Sequence, residues 1–211
     1  MTNEQRIRQP IVTICGHVDH GKTSILDKFR GTFVQEGEAG GITQKISFTR
    51  YPIEQLKKAC PLIEKSGIKL DIPGLLFIDT PGHAAFSNLR KRGGGLADLA
   101  VLVVAIKEGI KPQTAEVLQI LRANKTPFLI ALNKIDGLSG WKRQESIRKS
   151  IESQAANVRQ EFDTALLTFQ GSLQEHGFES ALFDELTDFT KQVALVPCSA
   201  KTGEGISELL F

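Results

Sequence analysis

The residues Gly16-His17-Val18-Asp19-His20-Gly21-Lys22-Thr23 fit the pattern G-x-x-x-x-G-K-[ST], the spacing of a loop that cradles a polyphosphate. Glycines at both ends, Gly16 and Gly21, let the backbone N–H groups of Val18, Asp19 and His20 turn inward around an anion. An apolar run, Ile11 to Cys15, precedes the loop, and an amphipathic segment, Ser24 to Phe29, follows it. The loop therefore enters a helix N-terminus, whose dipole adds partial positive charge. Lys22 suits the β- and γ-phosphates, and the Thr23 hydroxyl suits Mg²⁺. A bare pattern of this kind also arises by chance in glycine-bearing loops. The strand–loop–helix setting argues against chance here.

Three further stretches follow buried apolar runs. Asp79-Thr80-Pro81-Gly82 offers an acid that can hold Mg²⁺ through water, and a Gly82 N–H for a γ-phosphate. The alternative is an Asp opening a Pro-Gly turn. In Asn133-Lys134-Ile135-Asp136, the Asp136 carboxylate can accept from a guanine's N1–H and exocyclic amine. Adenine lacks that donor pair and would leave a buried carboxylate unpaired. Asn133 can contact N7 and tie loops together, and the Lys134 stem can pack on the base face. In Ser199-Ala200-Lys201 the Ala200 N–H would meet guanine O6, with Lys201 over the other side of the base. That tripeptide carries weight only through its position. Thr43, after Gly40-Gly41-Ile42, could complete a Mg²⁺ shell only when a γ-phosphate is present, ordering its loop in one nucleotide state. A solvent-exposed threonine is the alternative.

The elements that must position these residues are legible as apolar runs. Strands are predicted over 11–15, 46–53 (an edge strand), 75–79, 99–106, 128–132 and 193–198. Helices are predicted from the loop to about Arg30, around Gln55 to Cys60, over 84–92, from Pro112 to about Ala123, and from Gly205 onward. Irregular chain is expected after Cys60. Residues 142–192 read as a polar, helix-prone stretch broken near Gly171 and Gly177, and 31–43 as a long glycine-rich loop. Strands alternating with helices predict a largely parallel sheet covered on both faces, with ligands beyond the C-terminal strand ends.

Composition narrows the class. The 211 residues suffice for one sizeable domain. A net charge of +2 is too small to imply a strongly basic nucleic-acid surface, so any RNA contact is expected to be local. Cys15, Cys60 and Cys198 have no zinc spacing; Cys15 and Cys198 read as buried thiols of a reducing, cytoplasmic compartment. No apolar stretch approaches the ~18 residues of a spanning helix, so no membrane partner is expected.

Together the motifs resemble the GTP-binding domain of the translational GTPases. Gly37-Glu38-Ala39-Gly40-Gly41-Ile42-Thr43-Gln44 resembles the first switch of the initiation factor family that includes bacterial initiation factor two and its archaeal and eukaryotic counterpart, five-B. Phe86 to Gly93, Gly140-Trp141, and the extra residues near 52–74 and 142–192 resemble the archaeal and eukaryotic branch. The resemblance implies an α/β, Ras-like P-loop GTPase fold, with a mostly parallel sheet of six or more strands and helices on both faces. Residues 1–9 are polar and read as a flexible tail; the resemblance implies a GTP-binding domain over 10–211 and further domains beyond this chain.

It also implies GTP and GDP as ligands, Mg²⁺, and K⁺ or Na⁺ held by Asp19. The loop from Gly16 to Ser24 would bind nucleotide. Val18 and Ile42 match apolar gates for the attacking water, and His83 matches the histidine that orients it. A helix-capping surface histidine is the alternative for His83. Lys22, Thr43, Asp19 and His83 would then be the catalytic set. The implied task is joining of ribosomal subunits with initiator tRNA in place, by a monomer whose hydrolysis the large subunit stimulates. With no obvious arginine finger, the basal rate is expected to be low. A nucleotide-dependent interaction module that does not hydrolyse is the competing class; Asp136 argues against an ATPase or kinase.

Overall fold

Strand β1, Ile11–Gly16, is buried along nearly its whole length and lies near the centre of a sheet. The structure is a computed structural model and describes residues 7–31, 47–67, 69–79 and 97–211. Ile42, Thr43, Gly82, His83, the helix expected over 84–92 and most of the glycine-rich loop lie outside the described residues.

From β1 the chain enters α1, Lys22–Gly31, then β2, Ser47–Pro52, and two short helices, α2 (Ile53–Ala59) and α3 (Pro61–Lys65). Strand β3 is Gly74–Asp79 and β4 is Leu99–Ala105. Helix α4, Pro112–Ala123, leads to β5, Phe128–Asn133, and a single 3₁₀ turn, Ile135–Gly137. Helices α5 (Ile147–Glu152) and α6 (Ala156–Glu175), strands β6 (Glu179–Leu182) and β7 (Gln192–Pro197), and α7 (Ile206–Leu210) complete the chain.

Among the described residues the strands form one seven-stranded sheet in the order β2-β3-β1-β4-β5-β7-β6. Every pairing is parallel except β2 with β3 at the edge. The expectation of a mostly parallel sheet of six or more strands holds. Alternation along the central strands divides the core between two faces. Leu102, Val104, Ile130 and Leu132 pack with Leu118 of α4 and Phe162 and Phe169 of α6. Val101, Val103 and Ala131 pack instead with Ile25, Leu26 and Phe29 of α1 and Leu209 of α7. Parallel register brings the ends of β1, β3, β5 and β7 to one edge of the sheet, where the sequence motifs converge.

Three local expectations are corrected. In place of irregular chain after Cys60, Pro61 opens α3. Five residues span little more than one turn, too short for a period to show. Gly171 does not break the insertion: α6 runs through it, with Val158, Phe162, Leu166, Phe169 and Leu173 buried on one stripe. The break falls at Gly177, whose φ is +79°. Strand β6 lies unannounced in this polar stretch; it forms because β7 offers a parallel edge. Apart from these three, Arg8 makes two 2.6 Å hydrogen bonds to Asp98, which also accepts from the Ile11 N–H.

Candidate functional site: a glycine-framed loop and a side-chain frame

The phosphate loop is shaped by backbone that only small residues allow. Gly16 has φ +143°, and a Cβ there would lie 2.2 Å from the Val103 carbonyl oxygen. Gly21 has φ +95°, and its Cβ would lie 2.3 Å from Asn133 Nδ2. Between them Asp19 sits at φ 65°, a left-handed conformation that aspartate tolerates better than most residues. Val18 and Asp19 are exposed, while Gly16 and His20 are buried.

The Ile25 N–H donates to the Gly21 carbonyl at 3.0 Å, the first bond of α1, so the loop leads directly into the helix. Lys22 Nζ donates to the carbonyls of Gly16 (3.0 Å) and His17 (2.8 Å) and spans its own loop. A cradle that excludes a Cβ at both ends, a helix N-terminus and an ammonium group form a donor set suited to a polyphosphate. Thr23 is half-buried in the first turn of α1, and Ser24 beside it is exposed. Asp79 ends β3 beside Ile14 of β1, at the same edge of the sheet.

The other half of the site is built from side chains. Asn133, buried at the end of β5, donates from Nδ2 to the His20 carbonyl at 2.8 Å and accepts the Ala200 N–H on Oδ1 at 3.0 Å. One amide thus joins the phosphate loop to the segment after β7. Asp136, in the 3₁₀ turn, accepts from the Ser199 hydroxyl at 2.7 Å, and Lys201 Nζ lies 3.9 Å from its other oxygen. Ser199 Oγ in turn accepts from the Thr202 N–H at 3.1 Å. Lys134 is exposed, in the left-handed conformation with φ 66°, and its ammonium lies 3.4 Å from Glu108.

Several residues of this edge carry no role that the sequence alone reveals. Glu108, just past β4, lies 3.4 Å from His20 Nε2 and 3.4 Å from Lys134 Nζ. Its one signal is its place: an acid following a buried strand that ends at the same edge. His20 turns its ring fully inward, so only its backbone faces the loop. Burial depresses the His20 imidazole below its ordinary value; Glu108 opposes this and His17 reinforces it. Burial raises the Glu108 carboxyl, but Lys134 and His20 outweigh it, and the net direction is downward. His17 pairs with Gln113 of α4 and stands edge-on to His20.

The thiols are chemically quiet: burial pushes Cys15 up to about 12 against the pull of Lys22, and raises Cys60 and Cys198 as well. Among the described residues, no three His, Cys, Asp or Glu side chains converge to hold a metal, and no helix is long and apolar enough to cross a membrane. A metal bound by a hydroxyl, one carboxylate and substrate phosphates needs no such cluster.

A mostly parallel sheet, a glycine-framed loop entering a helix, and a side-chain frame at the neighbouring strand ends define a nucleotide-binding domain of the P-loop class. The chain matches the Elongation factor Tu GTP binding domain over residues 7–211 and belongs to that family of translational GTP-binding domains. It is 52% identical to the probable translation initiation factor IF-2 of Methanopyrus kandleri over 99% of this chain and 36% of that protein. It is 54% identical to the probable initiation factor IF-2 of Sulfurisphaera tokodaii, over 98% of this chain and 35% of that protein. The crystal structure of GDP-bound aIF5B from Aeropyrum pernix superposes with a TM-score of 0.84 at 51% identity, covering 97% of this chain and 35% of that one. The chain spans about a third of the length of these relatives.

Proposed function

We propose that this chain binds GTP and GDP and hydrolyses GTP as the nucleotide-responsive domain of a translation initiation factor. One observation carries the reading: Asn133 ties the phosphate loop to the segment after β7, while Ser199 holds Asp136 with a carboxylate oxygen to spare. That frame suits a base with two adjacent donors, and the family and its GDP-bound structural neighbour support guanine.

In this reading the Asp136 carboxylate accepts from the guanine N1–H and exocyclic amine. The Ala200 N–H, fixed in direction by Asn133, is shared with O6 in a three-centre bond. Lys134 leaves Glu108 to cover one face of the base, and Lys201 covers the other. Asn133 contacts N7. Backbone N–H groups from Val18 to Ser24 and that of Gly82 bind the phosphates, and Lys22 exchanges its loop carbonyls for phosphate oxygens.

Thr23, Asp79 (through water) and Thr43 are the residues that would hold Mg²⁺, which supplies neutralisation of phosphate charge when bound. The exposed Asp19 would hold K⁺ or Na⁺, which offsets its repulsion from the phosphates. Val18 and Ile42 would exclude stray water around His83, which orients the attacking one. The wider role proposed is that of a soluble, monomeric domain whose hydrolysis the large ribosomal subunit stimulates, in a factor that joins ribosomal subunits over initiator tRNA through domains beyond this chain; the relatives named as translation initiation factors support it.

Single-turnover GTP hydrolysis, measured with and without ribosomes, tests the proposal. The expected result is slow phosphate release alone and faster release with ribosomes, the stimulated rate falling ~10²-fold or more in His83→Ala. Nucleotide binding with no phosphate release in either condition would instead make the domain an interaction module.

A further inference from the structure

Trp141, the single tryptophan of the chain, donates its indole N–H to Glu204 Oε2 at 3.1 Å. Glu204 is buried at 4% exposure, and its other oxygen, Oε1, finds no hydrogen-bond partner among the described residues. A carboxylate so enclosed depends on the indole for its one side-chain bond. The same residue closes the loop after β7. Its carbonyl accepts the Ser199 N–H at 2.9 Å, and the Gly203 N–H returns to the Ser199 carbonyl at 2.8 Å. Arg143 adds a second grip from the same stretch, donating to the Thr202 carbonyl at 2.5 Å.

Trp141 itself rests on α6. Its ring meets Phe162 with centroids 5.7 Å apart at 41°, and Phe162 is fully buried in the core. A continuous path therefore runs from α6 through the indole and the Glu204 carboxylate to the loop that carries Ala200. β5 holds Cys198 through the Leu132 carbonyl and the Ala200 N–H through Asn133, while the Ser199 N–H between them is held by the Glu204 carbonyl, so the placing of Ala200 rests on Asn133 and on loop closure together.

We infer that Trp141 is a positioning residue for base recognition, acting through Glu204 to hold the Ala200 N–H where a purine 6-oxo group is read. This rests on the guanine reading above and extends it to the 142–192 stretch, which supplies the support under the loop. Asp136 sits on its own 3₁₀ turn, with the buried Ile135 N–H on the Cys198 carbonyl, and its hydrogen bond to the loop is from the Ser199 hydroxyl, so it reads the opposite donors of the base with less dependence on the indole than Ala200 has.

The test is calorimetric titration of GDP, 6-thio-GDP and IDP into the full chain and its variants Trp141→Phe, Glu204→Ala and Glu204→Gln. Sulfur at position 6 weakens the contact with Ala200, and IDP lacks the amine read by Asp136. Wild type should prefer GDP over both analogues. In Trp141→Phe and Glu204→Ala the preference over 6-thio-GDP should shrink by about fivefold, a lost buried hydrogen bond's worth, while the preference over IDP holds. Glu204→Gln should behave as wild type, because its amide carbonyl still accepts the indole N–H. If Trp141→Phe does not fold, Glu204→Ala decides. Equal weakening of all three nucleotides would reduce the pair to a structural role and overturn the inference, as would unchanged binding in the variants. Wild-type protein indifferent to sulfur at position 6 would remove the underlying reading and the inference with it.

Discussion

The two halves of the site are built by opposite means. At the phosphate end, shape resides in the backbone: Gly16 and Gly21 hold positive φ values, and a Cβ at either would strike a fixed neighbour. At the base end, shape resides in side chains: Asn133, Asp136 and Ser199 are held by bonds of 2.7–3.0 Å. Of the glycines there, Gly137 and Gly203 have open space where a Cβ would stand, with no atom within 4 Å. Backbone constrains only the far end of the base loop, where a Cβ at Gly205 would lie 2.2 Å from the Pro197 carbonyl oxygen. A backbone cradle recognises what all nucleotides share. A side-chain frame discriminates among bases, since hydrogen-bond polarity differs from one base to the next. Damage to the first should therefore abolish binding without regard to base, and damage to the second should change which base is preferred.

The largest effect expected is that of Gly16→Ala. Strain at a glycine-only φ costs on the order of 1–3 kcal/mol before the overlap with the Val103 carbonyl is counted. Thermal unfolding should fall by roughly 5 °C or more, with GDP and GTP binding lost together. Gly137→Ala at the base end should leave both unchanged; equal damage from the two substitutions would erase the contrast. Asp136→Asn comes next. Guanine nucleotides should weaken by the roughly 1.5–3 kcal/mol of charge-assisted bonds, while xanthine nucleotides gain, because polarity at one contact reverses. Unaltered GDP binding would show that Asp136 does not read the base.

Ser199→Ala should be milder. It removes the 2.7 Å bond that orients Asp136 but leaves the carboxylate in place, so GDP affinity should drop about fivefold with the xanthine preference unmoved. The smallest effect is expected from thiol labelling, which bears on both halves because each hangs from a buried cysteine: Cys15 before the phosphate loop, Cys198 before the base loop. With Cys15 pushed up to about 12 and Cys198 also raised, neither forms thiolate near neutral pH, and both should react only as the fold opens. Labelling of Cys198 well ahead of Cys15 would show that the side-chain frame opens locally while the backbone cradle stays shut.

The same contrast explains which parts of the molecule are legible in sequence. Central strands announce themselves as apolar runs because both faces of the sheet are covered, and their motifs follow at the strand ends. The phosphate loop is legible because its glycines obey a backbone requirement that spacing encodes. Strand β6 is not legible: Glu179–Leu182 is paired by β7 rather than by its own composition. Nor does Gly171 act as a breaker, since the buried stripe of α6 outweighs the ~1 kcal/mol that glycine costs a helix. Glu108, Gln113 and Glu204 escape notice because their importance lies in what the fold sets beside them: His20, His17 and Trp141.

In the proposed function the domain joins a generic phosphate cradle to a frame selective for guanine, and either half without the other would bind differently. Calorimetric titration of GDP and ADP into the wild-type chain, with Mg²⁺ present, puts that union to the test. GDP should bind at least ~10³-fold more tightly than ADP, since the wrong base leaves buried polar groups unpaired. Comparable affinities for the two would contradict a guanine-selective frame.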